Sequence, residues 1–227
     1  GINAEYGLFS DTHGQHHKLK LDQADIIIFS GDLMTSGKNL SQAQNFLQWF
    51  DSLEQFKYKI LVAGNHDIMF EQNIELVDIK RYPNIIYLQD SSISLDIEGQ
   101  ALNIHGSPYT PEFCDWAFML TNKEQAVEIW NKIPQNTDIL VTHGPPFEIL
   151  DLNIGKIHCG CKYLLDRIKE VKPLIHQFGH IHETYGVKQI NETTFVNASI
   201  LNLAYKFANK PVYMEVDLKN RKVSEIQ

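Results

Sequence analysis

An α/β fold, with short buried strands handing over to loops and helices running between them, is predicted by three observations on this 227-residue chain. Residues 6–9, 26–29, 60–63, 139–142 and 174–178 are short runs rich in β-branched and aromatic side chains, which read as buried strands. Segment 39–56 places Phe46, Trp49, Phe50 and Leu53 at i, i+3, i+4 and i+7, the spacing of an amphipathic helix packed on a sheet. Past residue 183 the pattern changes to strands in series.

The remaining elements follow the same rules. Residues 123–132, with Ala126, Ile129 and Trp130, predict a second helix, and Leu164, Leu165, Ile168 and Val171 a third, ended by Pro173. Segments 93–97 and 101–104 alternate around Glu98-Gly99-Gln100, the pattern of a hairpin with a glycine in its turn. Segments 186–190, 193–197, 212–218 and 222–226 read as the late strands. No Pro/Gly/Ser-rich linker divides the chain, so one domain over residues 1–227 is expected.

Each early strand ends in residues that bind metals. The series is Asp11-Thr12-His13, Gly31-Asp32, Gly64-Asn65-His66-Asp67, His143-Gly144 and Gly179-His180-Ile181-His182. Any one of these is also the ordinary way a strand meets water. Five in series, each with oxygen or imidazole donors, point to a dinuclear metal site. Open α/β sheets gather ligands beyond the carboxyl ends of their strands, which lets motifs far apart in sequence share a pocket.

This series resembles the calcineurin-like metallophosphoesterase superfamily over roughly residues 8–182. Gly106-Ser107-Pro108, Trp116-Ala117-Phe118, Thr142-His143-Gly144-Pro145-Pro146, the Gly-His-Ile-His block with Glu183 and Tyr185-Gly186, and Asn197-Ala198-Ser199 are similar to the metallophosphoesterase-domain-containing subfamily of animal brain and bacteria, a class III cyclic nucleotide phosphodiesterase-like group. The resemblance implies a four-layer sandwich of two mixed β-sheets flanked by helices. It implies that Asp32 bridges two divalent ions, with Asp11, His13 and His182 on one and Asn65, His143 and His180 on the other. It further implies in-line attack by a metal-bridging hydroxide, two such ions standing about 3.5 to 4 Å apart, with His66 assisting the leaving group. Manganese is the expected metal; iron, zinc, nickel and magnesium also suit such donors.

One position departs from the superfamily pattern. Many members carry a second aspartate three residues after the bridging one, which orients the catalytic histidine; here it is Thr35, followed by Ser36 where protein phosphatases place an arginine. Asp67 is the expected substitute orienting carboxylate. The three arginines, Arg81, Arg167 and Arg221, adjoin no motif, so a bidentate clamp for a dianionic monoester is missing. That favours singly charged diesters over phosphoprotein substrates.

A net charge of −8, or about −4 with two divalent cations bound, argues against a long nucleic acid as partner. A small phosphoester, a nucleotide included, is expected instead. Hydrophobic residues at 43% and charged residues at 21% are those of a globular protein with a full core. No apolar stretch reaches roughly 18 residues and no leader-like segment is visible, so neither membrane insertion nor secretion is expected. Cys114, Cys159 and Cys161 fit no redox or zinc-ribbon spacing and predict reduced thiols in a cytoplasmic protein.

Residues 106–118 are neither periodic nor polar, and their aromatic side chains could stack a nucleobase or anchor the loop. Tyr109 and Phe113 rank ahead of Trp116 as substrate contacts. His16 and His17 read as exposed loop residues, with His17 also nominated to contact substrate. Two other readings stand beside the phosphodiesterase: a phosphomonoesterase or nuclease on short nucleic-acid ends, and a metal-containing interaction module, which predicts an exposed apolar patch and negligible turnover.

Overall fold

The computed structural model describes residues 3–226; Gly1, Ile2 and Gln227 of the expected 1–227 domain lie outside them. In chain order the strands are β1 (Asn3–Phe9), β2 (Ile26–Ser30), β3 (Tyr58–Val62), β4 (Ile85–Tyr87), β5 (Ser91–Ile97), β6 (Gln100–Ser107), β7 (Thr110–Pro111), β8 (Met119–Leu120), β9 (Ile139–Thr142), β10 (Ile175–Phe178), β11 (Gly186–Ile190), β12 (Thr193–Asn197), β13 (Val212–Asp217) and β14 (Lys222–Ile226). The helices are α1 (Leu40–Asp51), α2 (Ile68–Gln72), α3 (Ile74–Val77), α4 (Lys123–Asn131) and α5 (Lys162–Val171).

Two six-stranded mixed sheets result, one ordered β14-β13-β1-β2-β3-β4 and the other β11-β12-β10-β9-β6-β5. Strands β1 to β4 run parallel, as do β6, β9, β10 and β12, with antiparallel strands completing the edges. Strand alternation explains the layers. Ile26 and Ile28 face the inner core with Tyr6, Leu8, Ile60 and Val62, against Ile104, Val141, Ile175 and Val196 of the second sheet. Ile27 and Phe29 point outward, where Phe46, Leu47 and Phe50 of α1 cover them. On the far side, Leu140, Phe178 and Phe195 pack under α4 and α5 through Trp130, Leu164 and Ile168. Helix, sheet, sheet and helix therefore stack in that order, as the resemblance implies.

Helix α1 starts where Asn39 accepts a hydrogen bond from the Gln42 N–H, a side-chain cap for an orphan amide. It stops five residues short of the expected Phe56. Ser52 Oγ donates to the Trp49 carbonyl and Lys59 Nζ to the Asp51 carbonyl, closing the last turn so that the chain can enter β3. His16 is buried rather than exposed: its Nε2 meets Asn45 Oδ1 at 2.8 Å and its ring packs on Phe46. The three cysteines are free thiols. No helix among the described residues is long and apolar enough to cross a membrane.

Candidate metal centre

The strand ends of β1, β2, β3, β9 and β10 bring the five motifs together. Backbone hydrogen bonds weld the turns directly: Asp11 N–H to the Gly31 carbonyl (2.9 Å), His13 N–H to that of Asp32 (3.1 Å) and Gly179 N–H to that of His143 (2.8 Å). Beneath them Gln177 of β10 reaches the other sheet, its amide nitrogen donating to the Ile28 carbonyl at 3.0 Å and to Ser30 Oγ at 3.1 Å. The turns are tight enough to force unusual backbone. Asp11 (φ 54°), His13 (39°), Asp32 (66°) and His180 (72°) are all left-handed, a region non-glycine residues enter uncommonly. Gly31 precedes Asp32 at φ 105°, and a Cβ there would collide with the His143 ring.

Three sets of donor atoms, each within 4.8 Å, arise from this convergence: Asp11, His13 and His182; Asp32, His143 and His180; and His13, Asp32 and His66. Asp32 Oδ2 stands 3.7 Å from His13 Nε2 and 3.2 Å from His143 Nε2, so one carboxylate touches both groups. His182 Nε2 lies 3.2 Å from Asp11 Oδ1.

Whether these residues suit cations is decided by their other atoms. The Nδ1 atoms of His13, His143 and His182 donate to the carbonyls of Met34, Ser30 and Asn202 at 2.9, 2.8 and 3.2 Å. Each Nε2 is then the atom turned into the cluster, able to offer its lone pair once the ring is neutral, the arrangement metal-ligating histidines adopt. His13 Nε2 and Asp11 Oδ1 are buried with no hydrogen-bond partner. The Asn65 side-chain oxygen lies 3.0 Å from His143 Nε2; the reversed amide would instead donate to that nitrogen and to both Asp32 oxygens. Oxygen inward is the orientation a cation selects. Asp11 is steadied from behind by Ser10 Oγ, by the His180 N–H (3.0 Å) and by Ser199 Oγ (3.3 Å).

Charge follows the same geometry. Burial alone would lift the Asp32 carboxyl, but the charge and hydrogen bond of His143 hold it well below the usual range. Burial would likewise lower His143, yet Asp32 raises it to about 10. For Asp11 and His182 the mutual hydrogen bond and charge overcome burial, setting them at about 2 and about 9. His180, buried and beside His143, falls to about 3.

His66 is held in a way the sequence pattern did not indicate. Its Nδ1 donates to the backbone carbonyl of Thr35 at 2.7 Å and its own N–H to Asp32 Oδ1 at 2.8 Å, while Trp116 stacks on the ring at 3.9 Å and 21°. Nε2 is the atom left for the pocket. Asp67 does not orient this ring. Its carboxylate turns back and accepts from the N–H groups of Gly64, Asp32, Met34 and Leu33 at 2.7, 2.9, 3.0 and 3.4 Å; burial and then the Asp32 charge push it up to about 7 against those donors. Asp67→Ala strands four buried amides and is expected to cost about 3 kcal/mol, lowering Tm by roughly 10 °C. Thermal denaturation checks this, and an unchanged Tm would show the brace to be unimportant.

Above the donor atoms lies a cavity of about 400 Å³ whose walls include Phe113, Trp116, Glu112, Glu183, Leu203 and Tyr205. Of the nominated substrate contacts, Phe113 stands at its mouth. Tyr109 does not line it; the ring packs edge-on against Phe118 at 5.6 Å and anchors the loop. His17 is also absent from the walls, its Nε2 spent on Asn45 Oδ1 at 2.7 Å. Trp116, ranked below Tyr109 and Phe113, is in the site. Tyr205, whose ring lies 4.7 Å from that of His13, was missed because it belongs to no motif.

Residues 6–184 match the calcineurin-like phosphoesterase family. The human metallophosphoesterase domain-containing protein 1 is 36% identical over 231 residues, covering 91% of this chain and 69% of its own. A UPF0046 protein of Caenorhabditis elegans is 32% identical over 225 residues, covering 92% and 74%. The TT1561 protein of Thermus thermophilus shares the fold with a TM-score of 0.63 at 14% identity, covering 99% of this chain and 98% of that one. The chain belongs to the calcineurin-like phosphoesterase family and, within it, to the metallophosphoesterase-domain-containing group.

Proposed function

We propose that the protein is a dinuclear-metal-dependent phosphodiesterase acting on small, singly charged phosphodiesters, cyclic nucleotides among them. The observation that carries the reading is the set of imidazole and carboxylate atoms turned into one buried cluster, with the rings of His13, His143 and His182 fixed from behind by backbone carbonyls. Asp11, His13 and His182 would hold one divalent cation, Asn65, His143 and His180 the other, and Asp32 both. When bound, such a pair supplies Lewis acidity toward phosphoryl oxygens and an activated water.

The chain's own groups supply the rest. His66, with Nδ1 protonated toward Thr35, presents Nε2 to the leaving oxygen, and Trp116 fixes the plane in which it does so. Ester preference is supported by charge. No lysine or arginine lines the cavity, whereas Glu112 and Glu183 do, so a second negative charge on the phosphate finds no partner there. Manganese and a cytoplasmic setting remain part of this proposal.

The test is initial-rate hydrolysis of bis-p-nitrophenyl phosphate against p-nitrophenyl phosphate by protein reloaded with manganese, nickel, zinc or magnesium. At least a tenfold diester preference is expected. A monoester preference would replace the reading with a phosphatase. A second reading, the metal-containing interaction module, is favoured by the exposed apolar side chains Phe113 and Leu203 at the mouth; it requires no turnover of either ester with two cations bound.

A further inference from the structure

Three segments border the cavity: residues 110–118, 151–159 and 201–209. Each carries apolar side chains into solvent, among them Phe113 (63% exposed), Ile154 (80%), Ile157 (63%) and Leu203 (51%). Of the ten large apolar side chains exposed among the described residues, seven lie on these segments. Single exposed apolar residues are ordinary. Gathering most of them around one opening marks a surface that something apolar covers.

The exposure is built into ordered turns. Leu152 pairs with His158 and Leu201 with Phe207. The Ile154 N–H donates to Glu183 Oε2 at 2.7 Å, which ties the tip of one hairpin beside the ligand His182. Asn202 Oδ1 accepts from the N–H groups of Ala204 and Lys206 at 2.9 and 3.1 Å, and the Thr110 N–H donates to the Phe118 carbonyl at 3.1 Å. Phe113 and Leu203 are walls of the cavity itself, and Ile154 and Ile157 lie on the segment that supplies the wall residues Asn153 and Cys159. Through Phe113 and Leu203 the apolar rim therefore shares one cavity with the donor residues Asp32, Asn65, His180 and His182.

The chemistry of the walls narrows what fits. Glu112 and Glu183 repel further anionic groups, and no lysine or arginine lines the walls to attract one away from the donor cluster. Resting on the phosphodiesterase reading, we infer that the substrate is a phosphodiester with an apolar chain on one alcohol, its phosphate at the donor cluster and its chain on the ring of Phe113, Ile154, Ile157 and Leu203. In the reaction water forms a new P–O bond, the ester P–O bond breaks, and the proton passes to the departing alkoxide. No other reactant is needed.

Binding and turnover test this separately. Calorimetric titration of the manganese-loaded protein with methyl, butyl and octyl esters of methyl phosphate, below their micelle concentrations, reads the chain alone. Affinity is expected to rise about threefold per methylene that reaches the ring, then level off. In Ile154→Asn/Ile157→Asn the rise flattens relative to that variant's own affinity for the methyl ester. Equal affinity across the series overturns the inference, as does sedimentation showing a dimer that the double variant dissociates, because a second copy of the chain would then cover the ring. Hydrolysis of p-nitrophenyl methyl phosphate reports on the underlying reading. An affinity ladder without turnover would sink the phosphodiesterase and keep the apolar-chain site; turnover without a ladder would do the reverse.

Discussion

His66→Ala is expected to lower kcat on a phosphodiester about a thousandfold while both cations stay bound. The variant removes the imidazole but not the backbone N–H that holds Asp32 Oδ1, and it touches none of the carbonyls that orient His13, His143 and His182. Metal content should therefore match that of the parent protein. The leaving group provides a sharper criterion, because p-nitrophenolate departs with little help from an acid and an alkoxide does not. The loss should be larger for an alkyl leaving group than for p-nitrophenol if Nε2 delivers a proton. An equal loss would assign His66 to charge stabilisation instead, and an unchanged kcat with full metal content would remove it from the chemistry.

The way His66 is held also marks the limit of what the sequence made legible. Donor types and their strand-end positions are written in short motifs, so the convergence of Asp11, Asp32, Asn65, His143 and His180 could be expected before any geometry was known. Strand and helix patterns were legible for a similar reason: the unbroken apolar run of β2, the alternation of β13 and the stripe of α1 are local signals. Contacts made by backbone are different. The Thr35 carbonyl that fixes His66 would be the same with any side chain at that position, and the departure from the superfamily pattern at Thr35 pointed wrongly to Asp67. The stacking of Trp116 depends on a loop path that no periodicity encodes. Short elements such as β4 and the two helices α2 and α3 fell below the length at which a period can be read. Tyr205 reaches His13 from a turn far along the chain, and only tertiary folding relates the two.

Loading the metal-free protein with manganese at pH 7.5 is expected to expel about two protons. His143 and His182, raised to about 10 and about 9 by their carboxylate neighbours, are both protonated at that pH and must become neutral to offer Nε2 to a cation. Asp11, at about 2, and Asp32, well below its usual range, are already ionised. His180, at about 3, and His13, lowered mainly by burial, are already neutral. The release therefore comes from two imidazoles, one in each ligand set, and the apparent affinity for each cation should climb about tenfold per pH unit below pH 9. Stability moves in opposite directions in the two forms. A folded pKa raised above the unfolded value of about 6.5 stabilises the metal-free protein fully below that pH, and the contribution is lost as pH rises through 9 and 10. Cation binding stabilises increasingly over the same window as affinity grows, so the Tm gap between loaded and metal-free protein should widen from pH 6.5 to 9. Titration calorimetry in buffers of different ionisation enthalpy counts the protons. A count of zero would mean that the imidazoles are neutral before the metal arrives, with the Asp32–His143 and Asp11–His182 pairs held together by something other than a shared proton.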